Sequence, residues 1–304
     1  MAKYPAMIWG ILSGLATATM QSSSYVCSRI FINKTGSPIL LAIYSQILMG
    51  IFGALLWILG GSQFSMPINA QNVSILSGVI LTTALGQLCF FWAAAEIEAS
   101  RLSSLTGLKV VVVALICTII GRDSFDAMQW AAVLLCAFAA LGMNFSGLKI
   151  SGTGAFWLGM MLIFYSICDI LIKLLVGVFQ GSSILVASFG SVAVIYAFVG
   201  LIALVLFLFI KKDYSLFKDA LPYAATWFVA MLLLYFCFSF LSVVFVNIII
   251  ALRGIISVFM GAAISKLGYT RVEPKTDKRI WIRRFIMASL MVLATAMYSY
   301  SSIN

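Results

Sequence analysis

The sequence predicts an all-α polytopic membrane protein with ten transmembrane helices, arranged as two inverted five-helix repeats. Three observations indicate this fold class: extreme hydropathy, long stretches without charge, and a match between the two halves of the chain. The 304 residues are 63% hydrophobic and 9% charged, with a mean hydropathy of +1.13, whereas about a quarter of the residues in a soluble domain are charged. The composition therefore excludes the two soluble domains that the length alone would allow.

Three long tracts contain no Asp, Glu, Lys or Arg: 35–95, 174–210 and 220–252. A soluble helix needs a polar face, so these tracts cannot be soluble helices. A span needs about 20 apolar residues, and turn residues or charges divide the chain into ten such segments: 6–30, 39–60, 73–95, 102–121, 128–147, 154–177, 184–210, 222–244, 247–265 and 284–303. The boundary between the eighth and ninth spans is the weakest, because only Asn247 interrupts the apolar run there.

The two halves of the chain resemble each other. Residues 107–121 align without gaps on 251–265, which pairs Lys109 with Arg253, and Trp9 has a counterpart in Trp157. Since five is an odd number of spans, the second copy must cross the membrane in the opposite sense, as in the inverted repeats of secondary transporters. We therefore predict repeats at 1–150 and 151–304 within a single membrane domain.

The basic residues predict the orientation. Loops after odd-numbered spans hold fourteen of the 19 Lys and Arg residues, against Lys3, Arg122 and Lys173 on the other side. Positive loops stay in the cytoplasm, so we predict a protein of the cytoplasmic membrane with both termini outside and the 266–284 loop inside. That loop is also expected to meet anionic lipid headgroups. A nucleic-acid partner is not expected, because the basic residues flank the spans and are interleaved with acids.

Several kinds of chemistry have no support in the sequence. Histidine is absent, and none of the six cysteines forms a CxxC pair, so we predict no metal site and no cofactor. We find no phosphate-binding loop, dinucleotide fingerprint or nucleophile elbow. An enzyme is therefore not expected.

Three charged residues fall within predicted spans: Lys109, Asp169 and Arg253. A charge in lipid costs several kcal/mol unless it is paired or faces water, so each is a candidate functional residue. We expect the two cations to face a central cavity and to attract a carboxylate or phosphate.

These charges also suggest gates at the two ends of the cavity. We expect Asp169 to contact Arg253 near an outer gate, with Lys173 as a competitor. Lys109 would lie near Glu96 or Glu98 at an inner gate. The alternative is an intrahelical Asp169–Lys173 pair, with the cations reaching towards the membrane interfaces.

Polar and aromatic residues at membrane depth form a second group of candidates. Such residues can line a pocket that combines apolar walls with a few polar anchors, although ordinary hydrogen bonding between helices is the alternative. The candidates for substrate binding in this group are Gln21, Gln87, Trp92, Tyr165, Trp227 and Tyr235.

The passage from Gly121-Arg122-Asp123 to Gln129-Trp130, and the run 252–258, resemble the ten-span EamA-like transporters of the drug/metabolite transporter superfamily. The resemblance implies a solute carrier that works by alternating access. Two departures stand out: the usual proline of the fourth and ninth spans is absent, and Lys266-Leu267 replaces the second acid.

The leading functional hypothesis is a secondary transporter for a small polar metabolite that carries an anionic group, with a zwitterion left open. The first alternative is efflux of cationic amphiphiles. The presence of two buried cations and only one buried acid disfavours it. The second is a lipid scramblase or flippase, which would carry Gln87 and Lys109 on a groove open to lipid. Monomer and homodimer both remain open.

Overall fold

The computed structural model describes residues 3–64, 66–143, 150–179, 183–266 and 278–303. These residues form twelve α-helices: α1 (Lys3–Thr35), α2 (Pro38–Gly60), α3 (Ala70–Glu96), α4 (Ala99–Leu105), α5 (Lys109–Ile119), α6 (Ala127–Met143), α7 (Gly152–Val178), α8 (Ile184–Phe207), α9 (Ser215–Phe240), α10 (Val243–Ala251), α11 (Arg253–Lys266) and α12 (Lys278–Ile303). No strand occurs within the described ranges.

The helices match the predicted fold class. Seven segments of the described chain are long and apolar enough to span a membrane, and two shorter apolar helices accompany them. The fourth span consists of α4 and α5, joined by a 3₁₀ turn at Thr106–Leu108, and the ninth consists of α10 and α11, joined at Leu252. When each of these two pairs is counted as one rod, the helices follow the order of the ten predicted segments.

The inverted repeat is visible in the turns that precede the interrupted rods. Ile97 ends α3 and Leu241 ends α9, both in extended conformation, and each amide donates back into the preceding helix. These residues are 144 positions apart, as are Lys109 and Arg253, which begin α5 and α11. The turn between the eighth and ninth spans therefore lies at Leu241 rather than at Asn247, where we expected it.

Helix packing obeys the same relation between the halves. Helix α1 packs on α9. Their counterparts in the other repeat, α7 and α3, pack on each other in the same way. Two further pairs, α2 with α8 and α6 with α12, lie across the pseudo-two-fold axis. The Trp9–Trp157 match is one helical turn out of this register. The division near residue 150 stays a prediction, because 144–149 lie outside the described residues.

The loops gather on two opposite faces. On one face Lys34 pairs with Asp219 at 2.7 Å, and Ser151 donates to Glu96 at 2.9 Å. This is the face that the distribution of basic residues predicts to be cytoplasmic. Most of the basic loop on that face, 267–277, lies outside the described residues.

Helices α2 and α8 cross at Gly50 and Gly200 so closely that one added methyl group is expected to destabilise the protein. A Cβ atom added at Gly50 of α2 would lie 2.6 Å from the Cα of Gly200 on α8, so the two backbones would have to separate. Overpacking of this kind costs about 1–3 kcal/mol. We expect Gly50→Ala to lower the thermal unfolding temperature of the purified protein by roughly 3–10 °C. Gly159→Ala is the matched control, because nothing lies within 4 Å of its added Cβ; equal effects would contradict this account of the crossing.

Candidate functional site

A narrow cavity of about 30 Å³ lies at the centre of the bundle, between α1, α3, α5, α7, α8, α9 and α11. One water needs about 10–15 Å³, so this cavity has room for about two waters and must widen to admit a larger molecule. Eight of the nine residues predicted to bind substrate line it: Gln21, Gln87, Lys109, Tyr165, Asp169, Trp227, Tyr235 and Arg253.

The helix interruptions place the two cations in this cavity. Lys109 follows the 3₁₀ turn of the fourth rod, and Arg253 follows the Leu252 interruption of the ninth. A 3₁₀ stretch within a helix often marks a functional hinge. Both side chains point into the protein, with 7% of Lys109 and 3% of Arg253 exposed.

Lys109 forms a buried ion pair with Asp169. The Lys109 ammonium donates to Asp169 Oδ2 at 2.8 Å, and the Asn247 amide donates to the same oxygen at 2.7 Å. The pairing of Asp169 with Arg253 that we expected is therefore wrong: α5 lies beside this face of α7 and brings Lys109 to the carboxylate instead. Asn247, the predicted boundary residue, is a hydrogen-bond donor to that carboxylate.

Arg253 has only neutral partners among the described residues. Its Nη1 donates to Gln21 Oε1 at 2.5 Å, and its Nε donates to the Ser103 carbonyl at 3.3 Å. The guanidinium also lies 5.3 Å from the centre of the Tyr25 ring. The charged side chains that line the cavity are Lys109, Asp169 and Arg253, so one positive charge is left uncompensated.

The repeat explains why the two cations differ. The offset of 144 carries Tyr165 and Asp169 of α7 onto Gln21 and Tyr25 of α1. Lys109 contacts the first pair, lying 5.9 Å from the Tyr165 ring centre, just as Arg253 contacts the second. The two halves thus present equivalent surroundings, but only the second half supplies a carboxylate.

Three buried polar atoms of the cavity-lining residues have no hydrogen-bond partner in the described part of the chain: Tyr25 Oη, Tyr165 Oη and Gln87 Nε2. Buried polar groups are nearly always satisfied, so each such atom calls for an explanation. All three can donate a hydrogen bond. The Gln87 amide is oriented by Tyr223, whose hydroxyl donates to Oε1 at 2.9 Å, so the NH₂ group is the half of the amide that lacks a partner among the described residues.

Aromatic rings form a large part of the wall. Trp227 donates its indole N–H to the Tyr196 hydroxyl at 2.8 Å, and its ring stacks on Tyr25 at an angle of 15°. Tyr165 stacks on the same indole at 30°. The cavity therefore combines flat apolar walls with hydrogen-bond donors and one unpaired cation.

Glu96, Glu98 and Lys173 have other partners than the predicted gates require. Glu96 accepts a hydrogen bond from Ser151, and Glu98 lies 3.9 Å from Arg101, whereas the Lys109 ammonium pairs with Asp169. Lys173 does not pair with Asp169, because its ammonium donates to backbone carbonyls at the end of α9.

Trp92 is the predicted binding residue that the cavity lacks. Its ring stacks on Trp157 of α7, with centroids 5.9 Å apart. Conversely, the cavity contains Tyr25 and Tyr196, which are not among the predicted binding residues. Tyr25 lies one helical turn after Gln21, and that spacing could have identified it.

An inverted repeat of membrane helices around a buried polar cavity is the architecture of a transport protein. Residues 8–145 match the model of the EamA-like transporter family. The predicted resemblance is thereby confirmed over the first five-helix repeat, and the chain is similar there to membrane transporters of the drug/metabolite type.

The full helix arrangement also occurs in solved structures. One crystal structure superposes with a TM-score of 0.63 at 13% sequence identity and covers 98% of each chain. At this identity the likeness concerns the fold alone. No curated protein matches the sequence significantly.

Proposed function

We propose that this protein is a secondary transporter that moves a small metabolite with an anionic group across the cytoplasmic membrane by alternating access. The observation that carries the proposal is the charge of the central cavity. Arg253 is buried with neutral partners, and a buried charge without a counter-ion is costly. A carboxylate or phosphate on the substrate would supply that counter-ion.

The unpartnered donors support the same class of substrate. Tyr25, Tyr165 and Gln87 present hydrogen-bond donors to the cavity that holds the guanidinium. Donors around a cation suit the oxygens of an anion, and charge-assisted hydrogen bonds are about twice as strong as neutral ones. Because Lys109 and Asn247 already donate to Asp169, a substrate amine is not required, although a zwitterion would place its amine near this carboxylate.

The same features count against the two alternatives. A cationic amphiphile would enter a cavity whose net charge is already positive. A scramblase would carry its polar residues on a groove open to lipid, whereas Gln87 is 2% exposed and Lys109 is 7% exposed.

A metabolite panel tests the proposal by thermal shift. Any compound that binds the folded protein raises its apparent stability by mass action. We expect the stabilising compounds to be carboxylates or phosphates, and we expect Lys109→Gln and Arg253→Gln each to abolish the shift. Stabilisation confined to permanently cationic dyes would overturn the proposal.

A further inference from the structure

A second and larger cavity lies on the face of the bundle opposite to Lys34 and Asp219. Its volume is about 640 Å³, and it opens where the ends of α3, α7, α8 and α9 meet the turn after α5. We call this cavity the vestibule. On the predicted orientation it faces the outside. Its volume falls within the range of about 300–1,000 Å³ that is typical of small-molecule sites.

Among the described residues, the vestibule is lined by two cations, Arg122 and Lys173, and by no acid; its other polar walls come from Gln71, Asn72 and Ser239. Asp123, the residue after Arg122, lines a neighbouring cavity together with Leu241, and its negative charge also acts on Lys173, but the two cations outnumber it. Arg122 forms no ion pair with a carboxylate of the described residues, and neither does Lys173. The potential in the vestibule is therefore positive, and such clefts concentrate anions.

Lys173 also holds the junction of α9 and α10 closed. Its ammonium donates to the carbonyl of Phe238, and to that of Leu241 at 3.1 Å. Arg29, which is 144 positions earlier, does the same at the other face: its Nη1 donates to the Ala94 and Ala95 carbonyls at the end of α3, at 2.6 Å each. The two repeats thus close equivalent junctions on opposite faces with one cation each.

Only a thin partition separates the vestibule from the central cavity. Ile172 and Tyr235 line the central cavity, while Lys173 and Phe238 line the vestibule. The lining residues of the two cavities are therefore consecutive on α7 and three positions apart on α9, a rise of about 1.5 Å and about 4.5 Å. An anion in the vestibule would meet the ammonium that holds this partition.

We propose that the vestibule is a second anion-binding site, in which Arg122 and Lys173 hold the anionic group of the transported compound before it reaches Arg253. The proposal rests on the function proposed above for its choice of ligand. An anion that binds Lys173 competes with the Phe238 and Leu241 carbonyls and so weakens the contact that closes the junction of α9 and α10.

Thiol labelling in the vestibule tests this proposal without knowledge of the substrate. Gln71 is exposed and lines the vestibule, so Gln71→Cys provides the reporter and the unmodified protein provides the background. The probes are two methanethiosulfonates of similar size, one with a sulfonate and one with a trimethylammonium group. We expect the sulfonate reagent to react faster relative to the cationic one at this site than at Ser62→Cys, an exposed control outside the vestibule.

Charge removal makes the test specific. We expect Arg122→Gln and Lys173→Gln each to reduce the preference for the anionic reagent by about tenfold, and Lys173→Arg to retain it. Lys211→Gln removes an exposed cation from the opposite face and should change nothing. Benzoate and inorganic phosphate at millimolar concentration should slow labelling of Gln71→Cys but not of Ser62→Cys.

The outcomes separate this proposal from the proposed function. Equal rates for the two reagents at Gln71→Cys, or an unchanged preference in both charge-removing variants, would overturn the vestibule site. The labelling signal does not depend on the central cavity. If no anion stabilised the protein in the thermal-shift panel, the proposed function would therefore fail while the labelling result still decided whether the vestibule binds anions.

Discussion

Asp169→Asn is expected to lower the thermal unfolding temperature of the purified protein by roughly 10 °C. The substitution keeps the shape of the side chain but leaves the Lys109 ammonium buried without a counter-ion. Breaking a buried ion pair by removing one partner costs about 3–5 kcal/mol, and in a protein of this size each kcal/mol shifts the midpoint by about 2–4 °C. The measurement is a thermal melt in one detergent at one scan rate.

Two variants make this result interpretable. Asp219→Asn breaks an ion pair of the same length, Lys34–Asp219, in which 61% of the lysine side chain is exposed. Exposed pairs contribute about 0–1 kcal/mol, so we expect a change of at most a few degrees. The double variant Lys109→Gln/Asp169→Asn removes both charges and should recover most of the loss. If Asp169→Asn lowered the unfolding temperature no more than Asp219→Asn does, the result would contradict a stabilising role for the buried pair.

Arg253→Gln is expected to have the opposite profile: a large loss of binding with little loss of stability. Removing one partner of a buried charge pair costs about 2–5 kcal/mol of binding energy, so we expect the affinity for an anionic ligand to fall by at least about 30-fold. The unliganded protein should melt within a few degrees of the wild type, because no carboxylate of the described residues depends on this guanidinium.

Lys109→Gln is expected to differ from Arg253→Gln in its effect on stability. That variant leaves the Asp169 carboxylate buried without its cation, so it should lose both anion binding and stability. Arg253→Lys retains the charge but lacks the forked geometry that reaches Gln21 and Ser103 together, and it should bind with intermediate affinity. If Arg253→Gln destabilised the free protein as much as Asp169→Asn, the arginine would be a structural residue and the anion hypothesis would fail.

The fold was largely predictable because membrane helices obey simple rules. Lipid requires long apolar segments, so hydropathy and turn residues locate the ten rods. Buried charges are rare enough for Lys109 and Arg253 to reveal the repeat when they align. The turn at Leu241 was missed because the run 220–252 contains no charge and no proline except Pro222.

The contacts within the site were harder to predict than its members. Depth along a helix places Asp169 and Arg253 near each other, but the partner of a side chain also depends on how each helix is rotated and which helix lies beside it. The structure puts α5 against α7, so Asp169 forms its ion pair with Lys109. Asn247 was missed for a related reason: a single amide in an apolar run signals a helix contact as readily as a boundary.

The uncompensated charge of Arg253 is the central claim, and a titration of one matched pair of ligands tests it most directly. The pair consists of the carboxylate that best stabilises the protein in the panel and the primary amide of the same compound, each titrated by isothermal calorimetry into the wild type and Arg253→Gln. We predict that the wild type binds the carboxylate at least about 30-fold more tightly than the amide, and that the difference largely disappears in Arg253→Gln. Equal affinity of the wild type for both ligands, or a preference for carboxylate that survives in Arg253→Gln, would contradict the account.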